Sequence, residues 1–212
     1  IDLGAVAANV SLLAPLAAPA GLMAVLKADA YGHGAVQVAH TALRNGASWI
    51  GVACLSEGEA LRRAGIDAPV LVLGYTPAWQ ARDAVRLGLS VAVFDSDTAQ
   101  ALAQAAPAVQ RTARVHLKVD TGMHRLGAPL DRAPDLLALM RSLEGLEVEG
   151  LFTHLSSADD PGPEGRAATD AQLAAFGKLV ARLESAGLRV RYDPQGLTGR
   201  GLWIGEKPKQ SG

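Results

Sequence analysis

Cysteine is nearly absent from this chain: Cys54 is the only one in 212 residues. A lone cysteine forms no internal disulfide, and no Cys/His cluster has metal-ligand spacing, so neither a disulfide framework nor a metal centre is expected. A reducing, cytoplasmic setting fits. An excess of one charge is also lacking. The formal net charge is -1, which excludes a broad electrostatic grip on nucleic acid or a membrane surface. Long apolar runs are missing too. Those present are short and broken by Pro, Gly or charge, and none approaches the roughly 20 residues that span a bilayer. No basic-then-apolar signal peptide opens the chain. It begins at Ile1 without a methionine, in what reads as the middle of a strand, so residues are expected upstream. No GxGxxG run follows any strand, which argues against a dinucleotide-binding fold.

What remains is a chain with ample material for a core. Hydrophobic residues make up 49% and charged residues 19%, so burial can offset the entropy of ordering. Short apolar runs alternate with longer Ala/Leu/Arg-rich segments of helical period. Strands are expected at Leu22 to Leu26, Trp49 to Ala53, Val70 to Leu73, Leu89 to Phe94, Val115 to Val119, Val148 to Phe152 and Leu188 to Tyr192. Helices are expected at Ala35 to Arg44, Glu57 to Ala64, Ala78 to Leu87, Asp97 to Ala105, Ala133 to Leu143 and Asp170 to Ala186. Repeated strand-helix units imply a parallel sheet with right-handed crossovers. The expected fold class is α/β, a (β/α)8 TIM-type barrel incomplete at its carboxyl-terminal end. Residues 1–192 form the barrel domain. Residues 193–212, rich in Gly, Pro, Lys and Gln, show no helical or strand period and read as an irregular tail.

A barrel places its chemistry at the carboxyl ends of its strands, and the unusual residues of this chain fall there. Lys27 follows the first strand, within Lys27-Ala28-Asp29-Ala30-Tyr31-Gly32-His33-Gly34. An amine whose stem lies in a dry barrel is desolvated. Its pKa falls and it becomes nucleophilic toward aldehydes, as a Schiff-base lysine requires. Tyr31 is placed to reach a bound phosphate or ring, and Gly32 and Gly34 permit tight turns. The plain alternative is a solvated lysine on a loop. Lys118 and Asp120 alternate on the fifth strand and share one face. If that face is the barrel interior, Lys118 is a buried charge in need of a partner. Arg125, in the loop beyond, offers a planar fork to an anion or a ring; ordinary surface charges are the alternative. Thr153 and His154 end the sixth strand, where a histidine can stack on a cofactor, although a lone histidine is more often structural. His33, His40, His116 and His124 read as structural or surface residues.

Taken together, these segments resemble alanine racemase, a family of fold-type III pyridoxal-phosphate enzymes. Ile1-Asp2-Leu3 with Ala8-Asn9-Val10 is similar to that family's lead-in. Met23 to Gly34 is similar to its cofactor-lysine signature. Val70 to Gly74, His116 to Gly127 and Gly150 to His154 match in kind and order, so that the resemblance covers roughly residues 1–190. It implies that Lys27 carries pyridoxal 5'-phosphate and moves a proton on one face of the substrate's α-carbon. A tyrosine of the partner subunit serves the other face, which implies a homodimer. It further implies that Tyr31 contacts the cofactor phosphate, that Leu73 lines the pocket and that His154 packs beside the cofactor. Arg125 lies near the phenolic oxygen and binds the substrate carboxylate. Lys118 corresponds to a lysine that is often carbamylated and then orients Arg125. The implied reaction interconverts L-alanine and D-alanine and supplies D-alanine for peptidoglycan.

The chain also departs from the family. A histidine-asparagine-serine segment and an arginine-glycine-tyrosine segment, which hold the phosphate and the pyridine nitrogen, are not found. Arg200-Gly201 is a faint echo of the second. The carboxyl-terminal β domain with the second catalytic tyrosine is not found either, so the chain alone is expected not to racemise alanine. A non-catalytic, single-domain pyridoxal-phosphate-binding protein with the same barrel is the main alternative. An amino-acid decarboxylase and a cofactor-free Schiff-base aldolase are weaker ones, the first opposed by the Tyr31-Gly32-His33-Gly34 continuation.

Overall fold

A computed structural model describes residues 1–187 and Ile204–Gly205. The chain opens on a helix, not in a strand. The Asp2 carboxylate accepts hydrogen bonds from the N–H groups of Gly4 and Ala5, at 2.8 and 3.1 Å, and so caps α1 (Leu3–Ala17). Ile1-Asp2-Leu3 alternates like a strand, but an Asp in front of an Ala/Leu-rich run satisfies helix-terminal donors that would otherwise be orphaned. None of the residues of α1 is buried, so no one-sided apolar stripe marks it in the sequence.

Six strands then run parallel in a single sheet. They are β1 (Leu22–Val25), β2 (Ala47–Val52), β3 (Val70–Val72), β4 (Ser90–Val93), β5 (Ala113–Asp120) and β7 (Leu146–Phe152), hydrogen-bonded in that order. A short strand, β6 (Ala128–Pro129), pairs with the end of β5. The helices between them are α2 (Lys27–Gly32), α3 (Ala35–Arg44), α4 (Leu55–Arg63), α5 (Ala81–Arg86), α6 (Ser96–Ala108), α7 (Ala133–Ser142) and α8 (Pro163–Ser185). This is an α/β barrel left incomplete, since a closed one of this type has eight strands.

Each expected strand within the described residues is present to within two residues at either end. Two helices differ from expectation. Ala78 to Leu87 divides into a 3-10 turn, Ala78–Gln80, and α5. The last helix starts at Pro163 rather than Asp170, because proline, with its fixed φ and missing N–H, suits the first helical turn. The expected strand Leu188 to Tyr192 lies outside the described residues. So does the 193–212 segment, apart from β8 (Ile204–Gly205), which pairs antiparallel with Gly150 and Leu151. Two residues are too few to leave a strand period in the sequence.

The core has two layers. Val70, Val72, Val91 and Val93 pack outward against the helices, with Phe176 and Leu179 of α8 in the same cluster. Leu71, Ala92 and Phe152 pack inward with Met23, Trp49 and Leu73. Alternate residues of one strand thus enter different layers, which is why β3 reads as an unbroken apolar run. His116, fully buried, joins the inner layer. Its ring meets Trp49 edge-on at 5.6 Å, and its Nε2 lies 3.3 Å from Glu149. Of the two expected readings, structural or surface, the burial excludes the surface one.

Candidate cofactor site

Lys27 leaves β1 at the mouth of the barrel, where the backbone does something no residue type announces. Ala28, Asp29, Ala30 and Tyr31 all have φ between 52 and 57°, so α2 is a left-handed turn. Gly32 and Gly34 follow with φ of 81 and 87°. Left-handed helix costs roughly 1–2 kcal/mol per non-glycine residue, so these four residues carry on the order of 4–8 kcal/mol of strain that their surroundings must offset.

Several bonds hold the turn. The N–H of Ala30 donates to the Leu26 carbonyl at 2.8 Å, and that of Gly34 to the Asp29 carbonyl at 2.9 Å. Asp29 Oδ1 accepts from the N–H of Ala35 at 2.6 Å, which ties the turn to the start of α3. Glu57, on α4, accepts from the N–H of Ala28 at 2.8 Å and from that of Ala53 at 2.7 Å. Lys27 is half-buried at this mouth rather than enclosed in a dry interior. Its Nζ lies 5.8 Å from the centroid of the exposed Tyr31 ring.

Lys118 is the buried charge that the strand alternation anticipates, with 4% of its surface accessible. Its Nζ donates to the carbonyl of Leu73 at 3.1 Å and lies 5.6 Å from the Phe152 ring centroid. Burial first, then the charge of Arg125, pushes its pKa down from 10.5 to about 8. Leu73 contributes in two ways, its side chain packing on the inner cluster and its carbonyl receiving Lys118.

Arg125 is exposed on the loop after β5, and Asp120 shapes that loop. Asp120 Oδ1 accepts from the N–H groups of Gly122, Met123 and His124 at 2.8, 3.0 and 3.1 Å. Burial favours the neutral carboxyl, but the bonds from Gly122, His124 and Met123 outweigh it and hold the group below the ordinary value. The loop returns to β5 at Gly127, whose φ is 146° and where a Cβ would lie 2.6 Å from the backbone N of Asp120. Only glycine permits that approach.

His154 follows β7, and its pKa is lowered by burial and then by the charges of Arg125, Lys118 and Lys27. The site residues expected from the sequence are therefore brought to one barrel mouth. Lys27, Lys118, Arg125 and His154 act on one another electrostatically. Tyr31 stands beside Lys27, and Leu73 beside Lys118.

Glu57 and Gln172 are members of this region that the sequence reading missed. Gln172 is buried on α8. Its Nε2 donates to Thr121 Oγ1 at 3.1 Å and to the His154 carbonyl at 3.3 Å, and its Oε1 accepts from the N–H of Ser156 at 2.9 Å. Thr153 Oγ1, 2.8 Å from Thr121 Oγ1, donates to the Val119 carbonyl at 3.0 Å. One side chain thus joins the loops that carry Arg125 and His154. The available signal was a polar residue in the buried stripe Gln172, Phe176, Leu179, Val180 and Leu183. Glu57 gave no such signal, since its partner Ala28 lies 29 residues away. Among the described residues there is no group of three metal-ligating side chains, and no helix is long and apolar enough to cross a membrane.

Fold and site together define an α/β-barrel domain with a cluster of basic side chains, Lys27, Lys118, Arg125 and His154, at the carboxyl ends of its strands. The family model for the N-terminal domain of alanine racemase matches residues 1–195, and the chain belongs to that family. It is 47% identical over 189 residues to an alanine racemase of Symbiobacterium thermophilum, covering 89% of this chain and 49% of that protein. Among solved structures, the alanine racemase of Streptomyces coelicolor A3(2) superposes with a TM-score of 0.80 at 39% identity, over 91% of this chain and 52% of that one. The Bacillus anthracis enzyme with bound L-Ala-P gives 0.81 at 31% identity, over 92% and 49%. The chain spans about half the length of the relatives it matches.

Proposed function

We propose that this chain is the cofactor-binding part of a pyridoxal-phosphate-dependent racemase that interconverts L-alanine and D-alanine, supplying D-alanine for peptidoglycan. The observation that carries the reading is the convergence of Lys27, Lys118, Arg125 and His154 at one mouth, while the nearby Asp120 carboxylate is occupied by three N–H groups. Cations and donors in such excess suit a ligand that brings an aldehyde, a phosphate and a carboxylate. The cofactor, when bound, supplies the electron sink that stabilises negative charge at the α-carbon.

The residues of this chain divide the remaining work. Lys27 is the residue that would hold the cofactor through its amine, and its Nζ would move a proton at the substrate's α-carbon. Tyr31, Leu73 and His154 would hold the cofactor: Tyr31 its phosphate, Leu73 and His154 its ring. Arg125 would help hold the cofactor, and its planar fork would pair with the substrate carboxylate. Lys118 is carbamylated: its neutral amine adds to carbon dioxide and releases one proton. With a pKa of about 8, roughly a tenth of the group is neutral at pH 7 and able to react. The product replaces a buried cation by an anion that faces Arg125, which removes the cost of an unpaired buried charge.

In this reading residues 1–192 form the barrel domain. The full protein is a cytoplasmic homodimer whose second base comes from the partner subunit. The 212-residue chain alone, without that base, forms no D-alanine from L-alanine. A titration of the purified chain with pyridoxal phosphate, read by visible absorbance, tests the cofactor assignment. A saturable band is the expected result, and a chain that is folded by circular dichroism yet shows none refutes it. Chiral chromatography of L-alanine incubated with chain and cofactor tests the division of labour, which D-alanine accumulating at enzymatic rates would overturn.

A further inference from the structure

We infer that Glu57 is a positioning residue: its carboxylate clamps the ends of β1 and β2 and so fixes the strained turn that aims Lys27 and Tyr31. The two strands stop pairing at this point. The last ladder bond between them runs from the Leu26 N–H to the Gly51 carbonyl, at 2.8 Å, and the last between β2 and β3 from the Leu73 N–H to the Val52 carbonyl, at 2.8 Å. Beyond them the N–H groups of Ala28 and Ala53 have no strand to donate to, and an unpaired N–H is costly. Glu57 gives one oxygen to each, at 2.8 and 2.7 Å.

A carboxylate suits this position because both its oxygens accept and neither donates. Ala28 is also the first of the left-handed residues and the immediate neighbour of Lys27. A bond to its N–H fixes the backbone where the strain begins. The other end of the turn is fixed separately, by Asp29 on the Ala35 N–H at 2.6 Å. Glu57 is itself seated on α4, whose Leu55, Gly58 and Leu61 are buried, so the clamp is anchored to the core. It acts on Lys27 only through the turn. The inference rests on the cofactor reading for its consequence, and on the geometry of the turn for its cause.

Glu57→Gln keeps the volume but offers one acceptor where two N–H groups need one each, and points a donor at the other. In the 212-residue chain this variant is expected to keep its circular dichroism spectrum, to exchange the Ala28 and Ala53 amide hydrogens at least tenfold faster than wild type, and to bind pyridoxal phosphate at least tenfold more weakly. Amides of β4 and β5, remote from the clamp, should exchange as before. If Glu57→Gln fails to fold, Glu57→Asp serves, its shorter carboxylate reaching one of the two N–H groups. Wild-type exchange at Ala28 and Ala53 in the variant overturns the clamp. Faster exchange there with unchanged cofactor affinity overturns its role in positioning Lys27. If wild type itself binds no cofactor, the exchange measurement still decides the clamp, and the cofactor reading alone has failed.

Discussion

Replacing Lys118 by methionine should stabilise the chain relative to wild type near neutral pH and lose that advantage as the pH rises. The side chain is almost fully buried and its one hydrogen bond is to the Leu73 carbonyl. Its pKa falls from 10.5 unfolded to about 8 folded. That difference is worth roughly 3 kcal/mol against the folded state when the group is charged in both states. Methionine fills a similar volume and removes the charge, but it leaves the Leu73 carbonyl unpaired, at a cost of about 1–3 kcal/mol. The net gain at pH 7 is therefore about 0–2 kcal/mol. Between pH 8 and 10.5 the unfolded lysine binds more protons than the folded one, so the stability of wild type rises with pH across that window. By pH 10 wild type should have regained about 2–3 kcal/mol relative to Lys118→Met. Urea unfolding of both proteins at pH 7 and pH 10, in buffers freed of carbon dioxide, measures the difference. A gap between the two that does not change with pH, or a methionine variant that is far less stable at pH 7, would refute the account of Lys118 as a buried, unpaired cation.

Other outcomes follow from the loops around the site. Gln172→Ala should destabilise by about 1–3 kcal/mol in urea, because it strips partners from Thr121, Ser156 and the His154 carbonyl in one step. Asp120→Asn should loosen the Arg125 loop, raising amide exchange at Gly122, Met123 and His124, whose N–H groups share one oxygen. Since the folded pKa of Asp120 lies below its ordinary 3.8, its contribution is present above that pH and is lost as the pH falls through the folded value. An acid titration should therefore unfold wild type with a transition that Asp120→Asn lacks.

The sequence was legible wherever periodicity and burial agree. β3 is buried on both faces and reads as a continuous apolar run. α3, with Val38, Ala39 and Ala42 buried on one side, starts and stops at its expected residues. α1 was not legible, because a helix that buries nothing has no stripe. The start of α8 was hidden because Pro161-Gly162-Pro163 reads as loop, although the second proline begins a helix. Within the site, Lys27, Lys118, Arg125 and His154 were visible as charged or titratable groups at strand ends. Their supports were not. Glu57 and Gln172 act across 29 and 51 residues, on Ala28 and Thr121. The left-handed turn falls on Ala, Asp, Ala and Tyr, none of which is the glycine that usually marks such a backbone.

The central claim, that the mouth around Lys27 is a pyridoxal-phosphate site, is tested most directly by asking which lysine takes the label. The chain is loaded with the cofactor, reduced with borohydride, digested and mapped. The account predicts one modified peptide, the one that contains Lys27. Label on Lys118, or spread over Lys178, Lys207 and Lys209, in a chain that is otherwise folded would contradict it.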